Sequence, residues 1–215
     1  MIVIDYSQTA ISNLMAELGG RKDVEINLPL IRHMIVNAIR GYKQKFGATY
    51  GDVVIACDHQ HYWRRSVFPN YKANRKKERE ESGYDWKAIF EALSAVREEL
   101  NAFFPYPVLR IEGAEADDVI ATLAEWTQTN DLSMGMFDEP KPFLVVSGDH
   151  DFIQLQKYSN VKQYSPIHKK LVKPERKPEH YVIEHIIRGD SGDGIPNVLS
   201  DDNCLVESRR QKPVM

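Results

Sequence analysis

Ile111-Glu112-Gly113-Ala114-Glu115-Ala116-Asp117-Asp118 places three carboxylates, Glu115, Asp117 and Asp118, in four consecutive positions. The apolar run Val119-Ile120-Ala121-Thr122-Leu123-Ala124 follows at once. The run reads as a helix packed on a sheet, and unpaired negative charge beside such a core is costly to desolvate. Protons or cations have to compensate it. A helix N-terminus attracts Asp and Glu through its dipole in any protein, so the cluster gains meaning only from the stretches around it.

Upstream, Val108 to Ile111 predicts a short strand turning through Glu112-Gly113-Ala114 into the acidic helix start. Downstream, a loop with Gly135 and Pro140 leads to Phe143-Leu144-Val145-Val146, a buried strand that runs into Ser147-Gly148-Asp149-His150-Asp151-Phe152. Ile2-Val3-Ile4 ends in Asp5, and Val53-Val54-Ile55-Ala56-Cys57 ends in Asp58. Asp58 also suits a turn and Asp149 an N-cap. Helical spacing is predicted from Asn27 to Phe46, with Asn27 as cap and Gly47 at the end, and from Asp85 to Phe104. Val161–Tyr164 and Lys170–Val172 read as a strand pair, and Glu179–Ile187 as a helix.

Strands alternating with helices predict an α/β fold, a mostly parallel central sheet flanked by helices. Sites in such sheets lie at the carboxyl ends of the strands. That edge collects Asp5, Asp58, Glu115, Asp117, Asp118, Asp149 and Asp151, while Asp190 and Asp193 of RGDSGDGIPNV arrive from the side. So many carboxylates in one cleft call for hard divalent cations, and an all-oxygen set fits Mg²⁺ or Mn²⁺ better than zinc. Two such ions can serve phosphodiester hydrolysis. No Ser-His-Asp order or P-loop competes for the chemistry. Asp5 is followed two positions on by Ser7, which disfavours a haloacid-dehalogenase phosphatase.

Residues 59 to 86, HQHYWRRSVFPNYKANRKKEREESGYDW, have the opposite character. Arg64, Arg65, Lys72, Arg75, Lys76 and Lys77 occur there, with no acid from 64 to 77. A charge run is ordinarily a solvated face. Here Tyr62, Trp63, Phe68 and Tyr71 interleave with the cations, a composition suited to an unpaired nucleic-acid strand. His59 and His61 flank Gln60 among basic neighbours, which points to phosphate or surface exposure rather than metal. Gly192 and Gly194 lie in a turn whose amides can approach a phosphate backbone.

The 215 residues suffice for one substantial domain, and 42% hydrophobic and 27% charged content is ordinary for a globular protein. A net charge of −3 excludes a uniformly basic nucleic-acid binder. Cys57 and Cys204 suggest neither a disulfide framework nor a cysteine zinc site, so a reducing, cytoplasmic setting is expected. Apolar runs fall short of membrane-spanning length and no leader opens the chain, so no membrane partner is expected. After Val198 the sequence reads as polar and structureless.

IDYS at 4–7, NYKANRKK at 70–77, EGAEADD at 112–118, SGDHDF at 147–152 and GDSGDGIPNV at 189–198 resemble, in order, the motifs of the 5′-nuclease (flap endonuclease) superfamily. WRRSVFPNYKANRKK is most similar to its T-even-phage ribonuclease H branch. The resemblance covers nearly all of residues 2 to 198. It implies a first metal held among Asp5, Asp58, Glu115, Asp117 and Asp149, and a second among Asp151, Asp190 and Asp193, with Asp118 a further member. Lys72 and Arg75 correspond to cations at the base of a helical arch, about 59–84, that acts on the scissile phosphate. Arg64, Arg65, Tyr71, Lys76, Lys77, Gly192 and Gly194 are the implied nucleic-acid contacts.

The implied division is a nuclease α/β domain over 1–188 and the start of a helix-three-turn-helix over 189–215. The second half of that element is expected to be missing, leaving residues 189–215 poorly ordered without DNA. The implied activity is 5′→3′ exonuclease and flap endonuclease on RNA·DNA and DNA·DNA duplexes, in primer removal, with two Mg²⁺ ions for which Mn²⁺ substitutes. A monomer in the host cytoplasm, working with single-strand-binding protein or a clamp, is the implied setting. Two alternatives stand beside it. A PIN-type endoribonuclease shares an acid-edged sheet, and a nucleic-acid-binding fragment would keep the basic arch without turnover.

Overall fold

The computed structural model describes residues 1–22, 25–129 and 140–214; Gly135 of the expected loop lies outside them. In chain order the elements are β1 (Ile2–Asp5), α1 (Tyr6–Leu18), α2 (Leu28–Tyr50), β2 (Val53–Cys57), α3 (Arg64–Val67), α4 (Asn74–Ser82), α5 (Trp86–Phe103), β3 (Val108–Arg110) and α6 (Ala116–Thr129). β4 (Phe143–Val146), a 3-10 helix (His150–Lys157), β5 (Val161–Ser165), β6 (Lys170–Val172) and α7 (Pro178–Arg188) complete them.

The six strands form one sheet in the order β3-β2-β1-β4-β5-β6, parallel except for β6. β1 is central, with Ile2 level with Val53 on one side and Leu144 on the other. Winding proceeds outward from β1 to β3, then returns to β4 on the other side. Where the direction reverses, connections leave β1 and β4 toward opposite faces and open a crevice at their carboxyl ends. Asp5 and the Ser147-Gly148-Asp149 turn stand at that crevice.

Alternation along the strands builds two cores. Ile2, Ile4, Val53, Ile55, Leu144 and Val146 face α1, α2 and α5. Val3, Ala56, Phe143 and Val145 face α6 and the 3-10 helix, packing on Val119, Ile120, Ala124, Phe152 and Leu155. Burial of the central strands on both faces explains why they read as continuous apolar runs rather than alternating ones.

Two helices differ from expectation. α1 was not predicted from its short, polar-looking start, yet Tyr6, Ala10, Leu14 and Leu18 are buried at helical spacing behind the Asp5 cap. α2 begins at its Asn27 cap but runs through Gly47 to Tyr50. Gly47 is tolerated because the ladder continues, its carbonyl accepting from Gly51 N at 2.9 Å, and Gly51 at φ 84° supplies the stop. None of the described helices is long and apolar enough to cross a membrane.

The stretch after Val198 is also not structureless. Asn197 Nδ2 donates to Lys212 O at 2.7 Å, Asn197 N to Gln211 Oε1 at 2.7 Å, and Cys204 is buried. Asn70 of the arch donates to Asp202 O at 3.1 Å. Turn hydrogen bonds and contact with the arch organise it in place of regular elements, which periodicity cannot reveal.

Candidate active site

Each strand-end acid is fixed by a backbone amide. Asp5 caps α1, with Oδ1 accepting from Gln8 N at 3.0 Å, while Ser147 Oγ donates to its Oδ2 at 3.2 Å. Asp58 Oδ1 accepts from Ala116 N at 2.9 Å at the start of α6. Asp149 Oδ1 accepts from Asp151 N at 3.0 Å and so caps the 3-10 helix. Two of the three, Asp5 and Asp149, are thereby also helix caps. Gln163, fully buried on β5, donates to Ser147 O and Asp149 O at 3.0 and 2.6 Å and steadies that turn.

The electrostatics are those of an uncompensated acidic site. Burial, followed by repulsion from Asp58 and Asp149, pushes Asp5 up from the usual 3.8 to about 7 against its stabilising hydrogen bonds. Burial and then Asp5 and Asp149 push Asp117 up to about 8. Asp151 rises to about 6, from burial first and then Asp149. The structure thus brings Asp5, Asp58, Asp117 and Asp149 within mutual influence, with Asp151 linking them to Asp190 and Asp193.

Glu115 and Asp118 have cationic partners, all from the arch. Arg64 places one guanidinium nitrogen 2.9 Å from Glu115 Oε2 and forks across both oxygens of Asp118 at 2.8 Å each. Burial alone would raise Asp118, but Arg64 and the Glu115 amide outweigh it and hold its pKa below the usual value. Lys72 Nζ lies 2.7 Å from Glu115 Oε1 and 3.6 Å from Asp193 Oδ2. The Tyr71 hydroxyl stands 3.0 Å from Glu115 Oε2 and 2.8 Å from Asp193 Oδ2, and its single proton serves one of them at a time.

The same arch is locked to the loop after α7. Arg75 Nη2 donates to Asp193 Oδ1 at 2.5 Å and Lys72 N to Asp193 O at 2.7 Å. Gly194, at φ 73°, lets Asn70 approach: a Cβ there would stand 3.0 Å from the Asn70 carbonyl oxygen. In this arrangement Gly194 faces the arch, and Gly192 O accepts from Arg75 Nε at 3.3 Å.

Other basic residues lie differently. Arg65 stacks over Tyr62, and the Lys76 and Lys77 ammonium groups lie 4.0 and 3.9 Å from Glu80 and Glu81 on the exposed α4. Tyr71 is buried, its ring edge-on to Tyr62, whereas Trp63 and Val67 stay exposed. His59 Nδ1 pairs with His61 O at 2.9 Å, in keeping with a structural role.

A cleft of about 500 Å³ opens between arch and sheet, lined by Arg64, Tyr71, Asp117, Asp151, His185 and Asp193 among others. Buried carboxylates that raise one another's pKa, Asp117 and Asp151 among them lining the cleft, fit hard divalent cations. Reading the sequence alone missed Gln163 and His185. Nothing in the local sequence marks the first, and the second stands one turn before Gly189 as an ordinary helix residue.

Fold and site together define a class, a doubly wound α/β nuclease domain with acids at its switch point and a basic arch across them. Residues 15–185 match the family described as 5′-3′ exonuclease, N-terminal resolvase-like domain. Ribonuclease H of Enterobacteria phage T4 is 39% identical over 200 residues, which is 91% of this chain and 62% of that protein's length. The T5 D15 protein crystallised with metal ions superposes with a TM-score of 0.69 at 18% identity, covering 96% of this chain and 73% of that one. The T5 D15 flap endonuclease in a complex with DNA and metal ions gives 0.68 at 19%, covering 92% and 69%. The chain belongs to the 5′-3′ exonuclease N-terminal domain family.

Proposed function

We propose that this chain is a divalent-metal-dependent 5′→3′ exonuclease and flap endonuclease that hydrolyses phosphodiester bonds at the 5′ ends of RNA·DNA and DNA·DNA duplexes, as in primer removal. One observation carries the reading: strand-end carboxylates converge at the β1/β4 switch point with Lys72 and Arg75 of the arch facing them. The T4 relative is named a ribonuclease H and the T5 neighbour a flap endonuclease seen with DNA and metal ions, which supports the substrate class.

Asp5, Asp58, Glu115, Asp117 and Asp149 would hold one cation, and Asp151, Asp190 and Asp193 a second, with Asp118 held back by Arg64. Mg²⁺ is the proposed ion, and Mn²⁺ its substitute. When bound, two such cations stabilise both the attacking and the leaving oxygen of the phosphodiester. Lys72 and Arg75 now neutralise Glu115 and Asp193, and both would turn to the scissile phosphate as the carboxylates are compensated by other charge. There they position the strand and offset negative charge in the transition state. Arg64, Arg65, Lys76 and Lys77 supply further phosphate contacts.

The body of the enzyme is residues 1–188 with the arch at about 59–84, and residues 189–215 begin the duplex-holding element. The chain acts as a monomer beside single-strand-binding protein or a clamp. Incubation with a 5′-flap duplex, with Mg²⁺ or with chelator, tests the activity. Mg²⁺-dependent products counted from the 5′ end are expected. Internal cuts in single-stranded RNA, or binding without cleavage, would refute it.

A further inference from the structure

His185, in the last turn of α7, stands among the acids assigned to the second cation. Its Nε2 lies 3.2 Å from Asp151 Oδ1 and 3.5 Å from Asp190 Oδ2. One ligand atom from each of these three residues lies within 4.8 Å of the other two. The three come from separate places: the 3-10 helix, the end of α7 and the loop after it. Convergence therefore depends on tertiary packing.

The details favour a ligand set. Asp190 Oδ1 is occupied by the amides of Gly192 and Asp193, at 2.8 and 3.2 Å, which leaves Oδ2 toward the imidazole. Tyr181, one turn back, stacks on the His185 ring at 5.5 Å and 14°, and so fixes its plane. Adjacent ligands of an octahedral ion with bonds of about 2.1–2.4 Å stand roughly 3.0–3.4 Å apart, close to the separations seen. The C-terminal carbonyls of α7 favour positive charge at the same point. An imidazolium paired with two carboxylates would give the same distances, but it predicts no nitrogen bonded to a metal.

We propose that His185 is a nitrogen ligand of the second cation, with Asp151 and Asp190, and that its imidazole tilts this site toward Mn²⁺ over Mg²⁺. The inference rests on the reading that these acids bind divalent cations. Carboxylates and water suit both ions, whereas imidazole is a ligand of the first-row transition ions; Mn²⁺, the weakest binder of that row, still accepts it more readily than Mg²⁺ does. Replacing one oxygen donor by nitrogen thus separates two ions that an all-carboxylate site treats alike.

The test is pulsed electron-spin-echo spectroscopy of the whole chain loaded with Mn²⁺ at neutral pH, alongside Mn²⁺ binding and Mg²⁺ competition. The expected result is nitrogen modulation that changes when histidine is ¹⁵N-labelled and vanishes in His185→Gln. Mn²⁺ affinity at the second site should fall at least about tenfold in that variant, a lower limit set by the loss of even an outer-shell partner, and Mg²⁺ affinity should fall less. Mn²⁺-loaded wild type without histidine modulation would overturn the assignment while leaving the metal reading intact, as would modulation that persists in His185→Gln. A chain that binds no Mn²⁺ would overturn both.

Discussion

Raising the pH should weaken the metal-free protein, and divalent metal should reverse the loss. Asp5 ionises near 7 and Asp117 near 8 in the folded state, against 3.8 ordinarily, because burial and neighbouring carboxylates oppose their charge. Between about pH 4 and 8 the folded chain therefore binds more protons than the unfolded one, and stability falls as pH rises through that window. At about 1.4 kcal/mol per pKa unit, the shift of Asp5 corresponds to about 4 kcal/mol and that of Asp117 to about 6. The two do not add, since each shift contains the other's charge, so a loss on the order of 5 kcal/mol between pH 4.5 and 8 is expected. For a chain of this size that is roughly 10–20 °C in melting temperature. Calorimetry or near-ultraviolet circular dichroism in chelator across the range would measure it. Millimolar Mg²⁺ should restore most of the loss at pH 8 and little at pH 5, where protons already compensate the acids. Asp117→Asn should flatten the metal-free profile. A metal-free melting temperature that is level or rises from pH 5 to 8, or an equal gain from Mg²⁺ at both ends, would refute the reasoning.

Asp149→Asn should lower single-turnover cleavage of a 5′ flap at least about a hundredfold, with binding unchanged or tighter because a charge that repels phosphate is removed; wild-type turnover would remove Asp149 from the metal set. Lys72→Ala and Arg75→Ala should each slow that step by roughly a hundredfold or more while weakening duplex affinity only slightly. Normal rates in both would leave the arch cations as a structural clamp on Glu115 and Asp193. Gly189→Ala should destabilise the fold by about 1–3 kcal/mol, since φ there is 69° and a Cβ would stand 2.4 Å from the Pro196 carbonyl carbon. An unchanged melting temperature in that variant would contradict the turn geometry.

How far the fold could be read before its structure depended on what was local. Ile2–Ile4, Val53–Cys57 and Phe143–Val146 are short and wholly apolar, with an acid next or, after Val146, three residues on, and a strand buried on both faces leaves just such a run. Asn27 was legible as a cap because capping joins residues three apart, as the Leu30 amide shows; Asp85 caps its helix in the same way, on the Ala88 amide. α1 was hidden because its buried face is carried by Tyr6, Ala10, Leu14 and Leu18 among polar neighbours, with its cap also the last residue of β1. The turns after Val198 were hidden because Asn197, Gln211 and Lys212 bond across a dozen or more residues.

By itself, the sequence determined the parallel α/β architecture, the strand-end position of its acids and the segregation of its cations into one stretch. All three follow from periodicity and from chemistry between near neighbours. Tertiary structure alone decided which charges meet. Arg64 and Lys72 reach Glu115 from 51 and 43 residues away, and Arg75 reaches Asp193 across 118. Sequence shows a basic segment suited to phosphate; packing shows that segment folded onto the carboxylates, where burial leaves each charge needing an opposite one. Asp5 and Asp149 lie side by side for the same kind of reason, because β1 and β4 are neighbours only through the sheet's reversal of winding. The imidazole of His185 reaches Asp151 because α7 packs on the 3-10 helix, a contact that no local pattern encodes.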